Sequence, residues 1–226
     1  MSLTKASRWV KNRLMLDIPK IVPVFPLPTV VFFPKTYLPL HVFEPRYREM
    51  ISESLKGDRI IMMALLKEGW ENNYYGNPEI YPVGCVGKIV KNQVLEDGRY
   101  NILLYGLVRA RIKEPIFKKS YRQAWIEPML AMEHGVQTLG ANLRDGLLEQ
   151  LKEYGKLIGA QPQMEHFLKI EMDDETLVNL FSAELNFTMT EKQFLLEAET
   201  LSQQCKRLMD LIQFKIHEVA KGQASS

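Results

Sequence analysis

Apolar positions between Val22 and Phe43 fall in three short runs broken by prolines, after which the spacing changes to that of a helix. The first run is Val22-Pro-Val-Phe-Pro-Leu27. Proline cannot donate to a sheet ladder, so the run predicts an edge strand or an irregular extended segment. Val30-Val-Phe-Phe33, closed by Pro34-Lys35, predicts a second extended run, and Leu38 to Phe43 a third. From Tyr47 the pattern Tyr47, Met50, Ile51, Ser54, Leu55 traces one helical face. Pro45 suits the first helical position, where an N–H has no acceptor, and Gly57 suits the stop, which often needs positive φ. The helix reads as a plug that closes a small β-structure.

Ile60 to Leu66 is apolar throughout and predicts a strand covered on both faces. Lys67 to Pro82 is dense in Gly, Asn and aromatics and reads as a long loop. Val83 to Val90 predicts a strand with Gly84 and Gly87 inside it, marking bulges or close backbone approach. Asp97-Gly98 lies between Lys91–Glu96 and Arg99–Tyr105 and predicts a hairpin. After Gly106, Val108, Ala110 and Ile112 alternate with Arg109 and Arg111, predicting one buried and one wet face. Tyr121 to Glu127 predicts the last strand, ended by Pro128.

Beyond Gln137 every strong pattern is helical, with Glu133-His-Gly135 as the hinge. Leu139, Leu143, Leu147, Leu151, Tyr154 and Ile158 mark one helix that stops at Gly159. Asp173 or Asp174 caps a short helix through Leu177, Val178, Leu180 and Phe181. Thr190-x-x-Gln193 and Thr200-x-x-Gln203 read as capping boxes for two more. The last carries Leu201, Cys205, Leu208, Ile212, Ile216 and Val219, read as core or as a partner-binding face. The expected layout is an N-terminal arm (1–19), a β subdomain (20–135), a helical subdomain (136–220) and a frayed tail (221–226).

Composition narrows the function classes. With 46% hydrophobic and 25% charged residues, the chain has ordinary globular material for a core. The 29 basic against 27 acidic residues give a formal +2, which carries no electrostatic signature of nucleic-acid binding. Cys85 and Cys205, in different elements, are expected to be buried thiols rather than a disulfide. No apolar run approaches the length of a membrane span. The basic residues before Asp17 leave two readings, an arm laid against the domain or an organelle presequence; a cleavable secretory signal is excluded by Lys11-Asn-Arg13.

The ordered stretch from Pro26 and Leu27 through Phe33-Pro34, Leu38-Pro-Leu40 and Phe43-Glu-Pro-Arg-Tyr47 resembles the opening of the substrate-binding domain of Lon-type ATP-dependent proteases. Val83, Gly84, Ile89, Asp97, Gly98, Gly106 and Arg109 continue the likeness. So do Thr190, Lys192, Gln193, Leu195, Leu196, Glu197, Arg207 and Leu208, although Asn186-Phe187 replaces the usual Leu-Pro. The likeness spans about Lys20 to Val219. It implies an α+β protein, a PUA-like β pseudo-barrel with one short helix followed by a helical bundle, stand-alone, soluble and cytoplasmic. It implies no catalysis and no cofactor, because the ATPase and peptidase modules of that family lie beyond the matched region.

The sequence motifs agree with that implication. Gly84-Cys-Val-Gly87-Lys88 is not a phosphate loop, since Pro82 and Ile89 stand where Gly and Ser or Thr are needed. His41, His134, His166 and His217 are scattered, without metal-binding spacing. No Gly-x-Ser-x-Gly elbow occurs. Candidate binding residues are the loop aromatics Trp70, Tyr74 and Tyr75, the corner residues Glu44 and Arg46, and Arg109 and Arg111. Each has a structural alternative: a local aromatic mini-core, a cap with a surface ion pair, or a strand salt bridge. The expected partner is an unfolded or extended polypeptide, or another protein, in a role linked to quality control. RNA, which other PUA-like barrels read, is the alternative, and an unrecognised hydrolase the third; oligomeric state is open.

Overall fold

The computed structural model describes residues 18–129 and 138–224. The chain divides into two compact units, Met1–Leu130 and Ala131–Ser226. Most of the expected arm and the Glu133–Gly135 hinge lie outside the described residues. No helix among the described residues is long and apolar enough to cross a membrane.

The first unit holds β1 (Ile21–Leu27), β2 (Tyr37–Val42), α1 (Pro45–Lys56), β3 (Ile60–Leu65), β4 (Val83–Val94), β5 (Tyr100–Ile116) and β6 (Gln123–Pro128). The strand order is β2-β5-β4-β3-β1-β6, with β6 pairing back onto β5. β5 is long enough to serve two neighbours on one side. Its first half pairs with β2 and its second with β6. Five strands therefore close a ring, and β2 extends it as the outer strand. Among the described strands, only the β1–β3 pairing is parallel.

β1 is not the edge strand its prolines predicted; it lies between β3 and β6. It changes partner part-way, pairing with β6 over Ile21–Pro23 and with β3 over Val24–Leu27. The Val24 N–H donates to Arg122 O on the β6 side at 2.8 Å. Pro26 has the same parity, so its nitrogen faces that side beyond the end of the pairing. Pro23 faces β3 before that pairing begins. Neither missing donor interrupts a ladder.

Val30–Phe33 is not a strand either. Lys35 at φ 60° turns the chain, and the segment folds back on β5. Lys35 N–H donates to Gly106 O at 2.8 Å and Gly106 N–H to Thr36 O at 3.0 Å. Phe32 and Phe33 are buried by this fold-back. The predicted hairpin forms with Gly98 at φ 78°. Gly106 sits within a continuous β5, and the irregularities lie between Val86 and Gly87 and between Ile89 and Lys91. Val83–Val90 and Lys91–Glu96 are thus mostly one strand.

Two apolar clusters follow from the period of two in β3. Ile60, Met62 and Ala64 join Val22, Val24, Val86, Val108, Ala110, Ala124 and Ile126, drawn from every strand of the ring. Ile61 and Met63 point the other way, into a cluster with Phe25, Val42, Leu104 and the α1 residues Tyr47, Met50 and Ile51. α1 therefore packs across the second face of the sheet and does not plug the ring. Pro45 opens it, and Gly57 ends it at φ −113°. The positive φ falls two residues later, at Arg59.

The second unit is helical: α2 (Ala141–Leu157), α3 (Gln161–Lys169), α4 (Asp174–Glu184), α5 (Met189–Leu196) and α6 (Leu201–Ala224). α6 packs against α2, α4 and α5, burying Leu201, Cys205, Leu208, Ile212 and Ile216. Its helix continues to Ala224, through most of the segment expected to fray. Burial pushes the Cys205 thiol up to about 12, and both cysteines are buried thiols outside any disulfide. α3 was not foreseen; its Met164 packs on Gly155 of α2, where any side chain would crowd it.

Asp173, not Asp174, caps α4, accepting from Thr176 N–H. Asp174 instead accepts from Leu139 N–H at 2.7 Å and pairs with Arg144. The capping box of α5 is Thr188 with Glu191, two residues before the predicted Thr190. Thr188→Ala should therefore lower the urea-unfolding stability by about 1 kcal/mol. Thr190→Ala, at an exposed position inside the helix, should change it by less than half as much.

Candidate functional site

The corner between β2 and α1 gathers most of the candidate residues. Glu44 precedes the helix, so its carboxylate sits at the positive end of the helix dipole. Arg46 Nε donates to Glu44 Oε2 at 3.1 Å, and Arg46 Nη2 donates to Tyr74 O at 3.3 Å. The Tyr74 hydroxyl donates to Glu44 Oε1. The Arg46 guanidinium carbon lies 4.6 Å from the Tyr47 ring centroid and 5.1 Å from that of Tyr74. These contacts dock the 67–82 loop on the helix start.

Within the loop, Trp70 opens a 3-10 turn that ends at Asn73. Trp70 meets Tyr74 edge-on at 5.4 Å, and Tyr74 meets Tyr75 edge-on at 5.2 Å. The aromatic mini-core and the exposed patch are both realised, in different residues. Trp70 and Tyr74 pack together, while Tyr75 is 90% exposed. Aromatic rings in such edge-to-face contacts hold a loop shape at modest entropic cost.

Between this loop and the segment leading into β6 lies a cleft of about 210 Å³. Arg46, Tyr47, Tyr74 and Tyr75 line one part, and Phe117, Lys119, Tyr121 and Arg122 another. Arg122 is 8% exposed. Its Nη2 donates to Pro78 O at 2.7 Å, which ties the two sides together. Its Nε is buried without a hydrogen-bond partner among the described residues. Burial holds the Arg122 guanidinium below its usual range. Tyr121 donates to Glu53 Oε2 at 2.5 Å, and Lys119 pairs with the same carboxylate. The hydrogen bond from Lys119 depresses Glu53, while burial raises Tyr121.

Burial pushes the Tyr47 phenol from 10 up to about 12, against the opposing pull of Arg46. The folded state thus favours the neutral phenol. Its stabilising contribution is complete below pH 10 and is lost as pH rises through about 12. A spectrophotometric titration should show late tyrosinate formation whose part near pH 12 disappears in Tyr47→Phe, while Tyr74 and Tyr121, also raised by burial, still ionise late.

Arg109 and Arg111 do not join the cleft. They lie on β5, opposite Cys85 and Val83 of β4. Arg109 is 7% exposed, so the predicted wet face is closed there. Sequence reading missed Phe117, Lys119 and Arg122. Their signal was the run Phe117-Lys-Lys-Ser-Tyr-Arg122, cations alternating with aromatics in a connection between strands.

The sequence profile of the ATP-dependent protease La (LON) substrate-binding domain matches residues 21–213, most of the chain. The chain belongs to the Lon substrate-binding domain family. A Lon protease of Trichlorobacter lovleyi is 30% identical over 213 residues, covering 92% of this chain and 26% of that protein. Lon protease 2 of Myxococcus xanthus is 27% identical over 203 residues, covering 88% and 24%. The chain thus spans about a quarter of these relatives' length. The N-terminal domain of a Mycobacterium avium complex Lon protease superposes with a TM-score of 0.65 at 16% identity, covering 86% of this chain and 98% of that domain. The Xanthomonas campestris Lon N-terminal domain protein gives 0.62 at 16% identity, covering 85% and 98%. These two share the fold of this Lon-family chain, a six-stranded sheet followed by helices.

Proposed function

We propose that this Lon-family chain is a non-catalytic module that grips extended polypeptide, acting in the cytoplasm in protein quality control. The carrying observation is the cleft at the α1 corner. It sets arginine and tyrosine, the residue types that most often anchor protein partners, around an open volume. Tyr75 stands exposed at its rim. The family description supplies the ligand class, since it names a substrate-binding domain.

The outer edge of β2 is a weaker candidate surface. It pairs with no other strand among the described residues, so an extended segment could add to it. It carries Pro39, however, and edge prolines blunt strand addition. The cleft is the favoured contact.

The test is fluorescence anisotropy with a model protein held unfolded by carbamidomethylated cysteines. Saturable binding with a Kd near about 10 μM is expected, and Tyr74→Ala with Tyr75→Ala should weaken it about tenfold. Equal affinity for the folded and unfolded forms of the probe would contradict the reading.

A further inference from the structure

We propose that the cleft of Arg46, Lys119 and Arg122 is a carboxylate subsite that takes one acidic group of the bound polypeptide. The inference deepens the polypeptide-binding reading and rests on it. Three cations line the cleft, and none of its lining residues is acidic. Two of these cations already meet a carboxylate from behind: Arg46 pairs with Glu44, and Lys119 with Glu53. The third, Arg122, has no carboxylate against it among the described residues, so the cleft offers one unmatched cation, the complement of a single carboxylate.

Among the described residues, Arg122 has no anion paired with it. It is more than nine-tenths buried, and the charged groups acting on it are Tyr47 and Arg46. With its phenol pushed up to about 12, Tyr47 is neutral at physiological pH. Arg122 Nε donates to nothing. Burying a cation away from any anion is costly, and a carboxylate seated in the cleft that Arg122 lines would offset that cost. A guanidinium presents a planar fork that suits two carboxylate oxygens. The rings of Tyr47, Tyr74 and Phe117 line the same cleft, and low-dielectric surface beside an ion pair strengthens it.

The carboxylate has two sources, an Asp or Glu side chain or the free chain terminus. Four versions of one unstructured, fluorescently labelled peptide separate them: internal Glu or Gln, each with a C-terminal acid or amide. The expected result is a preference of about tenfold for whichever acid fits, since a charge-assisted hydrogen bond is worth roughly that. The preference should fall to about twofold or less in Arg122→Gln, with Arg46→Gln and Lys119→Gln in parallel in case the buried substitution prevents folding. Arg111→Gln, outside the cleft, should leave it intact. If all four peptides bind equally, the carboxylate subsite is wrong while polypeptide binding stands. If none binds, both fall. An unstructured oligoribonucleotide that binds where no acidic peptide does would also overturn the proposal, in favour of RNA.

Discussion

Gly106→Ala is expected to destabilise the barrel unit by about 3 kcal/mol, a large loss for a single methyl group. A Cβ at this position would run into the backbone of Phe33 and Pro34. That backbone cannot give way, because Lys35 and Thr36 are zipped to Gly106 by hydrogen bonds on both its carbonyl and its N–H. The same fold-back buries Phe32 and Phe33, so separating the segments also exposes two aromatic rings. Gly69 provides the contrast. It has φ 81° but nothing near its missing Cβ, so Gly69→Ala should cost only about 1 kcal/mol of left-handed strain. Urea-unfolding midpoints of the two variants measure the difference. A Gly106→Ala loss no larger than that of Gly69→Ala would show that the fold-back does not press on β5.

Ile51→Ala is expected to cost about 3 to 4 kcal/mol. Ile51 is fully buried on α1, in the cluster that includes Ile61, Met63 and Leu104. Removing its side chain loses the transfer energy of three carbons and leaves a cavity walled by a sheet that cannot collapse onto a helix. Because α1 also begins with Pro45 and Arg46, the loss should reach the cleft. Polypeptide affinity should weaken in parallel with stability, although Ile51 does not line the cleft. Ser52→Ala, one residue on and outside the cluster, should change stability by less than about 0.5 kcal/mol.

Sequence carried the local devices and lost the long-range ones. The turn to helical spacing at Tyr47 and the proline before it located α1 almost to the residue. Asp97-Gly98 located the hairpin, because positive φ at Gly98 is a local demand. The prolines of β1 misled, since only tertiary pairing shows that the strand changes partner between them. Val30–Phe33 misled for the same reason, as its apolar residues serve a fold-back onto β5. Thr188 lost to Thr190 because two threonines lie within reach of an acidic or amide residue three places on, and spacing alone cannot choose between them. α3 was missed although Met164, Phe167 and Leu168 fall at helical spacing, because that stripe is one turn long and only Met164 in it is buried.

The site divides likewise. Glu44, Arg46, Trp70, Tyr74 and Tyr75 were visible as residue types in two segments, and the structure brings these segments into contact. Arg122 was invisible because its burial, its bond to Pro78 O and its unused donor all arise from tertiary packing. Arg109 and Arg111 were visible and lie elsewhere; strand alternation cannot tell a wet face from one covered by another part of the chain.

Polypeptide binding is proposed for the first unit, at the α1 corner. Hydrogen–deuterium exchange of the chain with and without a saturating unfolded polypeptide tests that placement directly. Slowed exchange in residues 70–78 and 117–122 is the predicted result, with the helices of 141–224 unchanged. Protection confined to those helices, with both cleft segments exchanging as before, would contradict it.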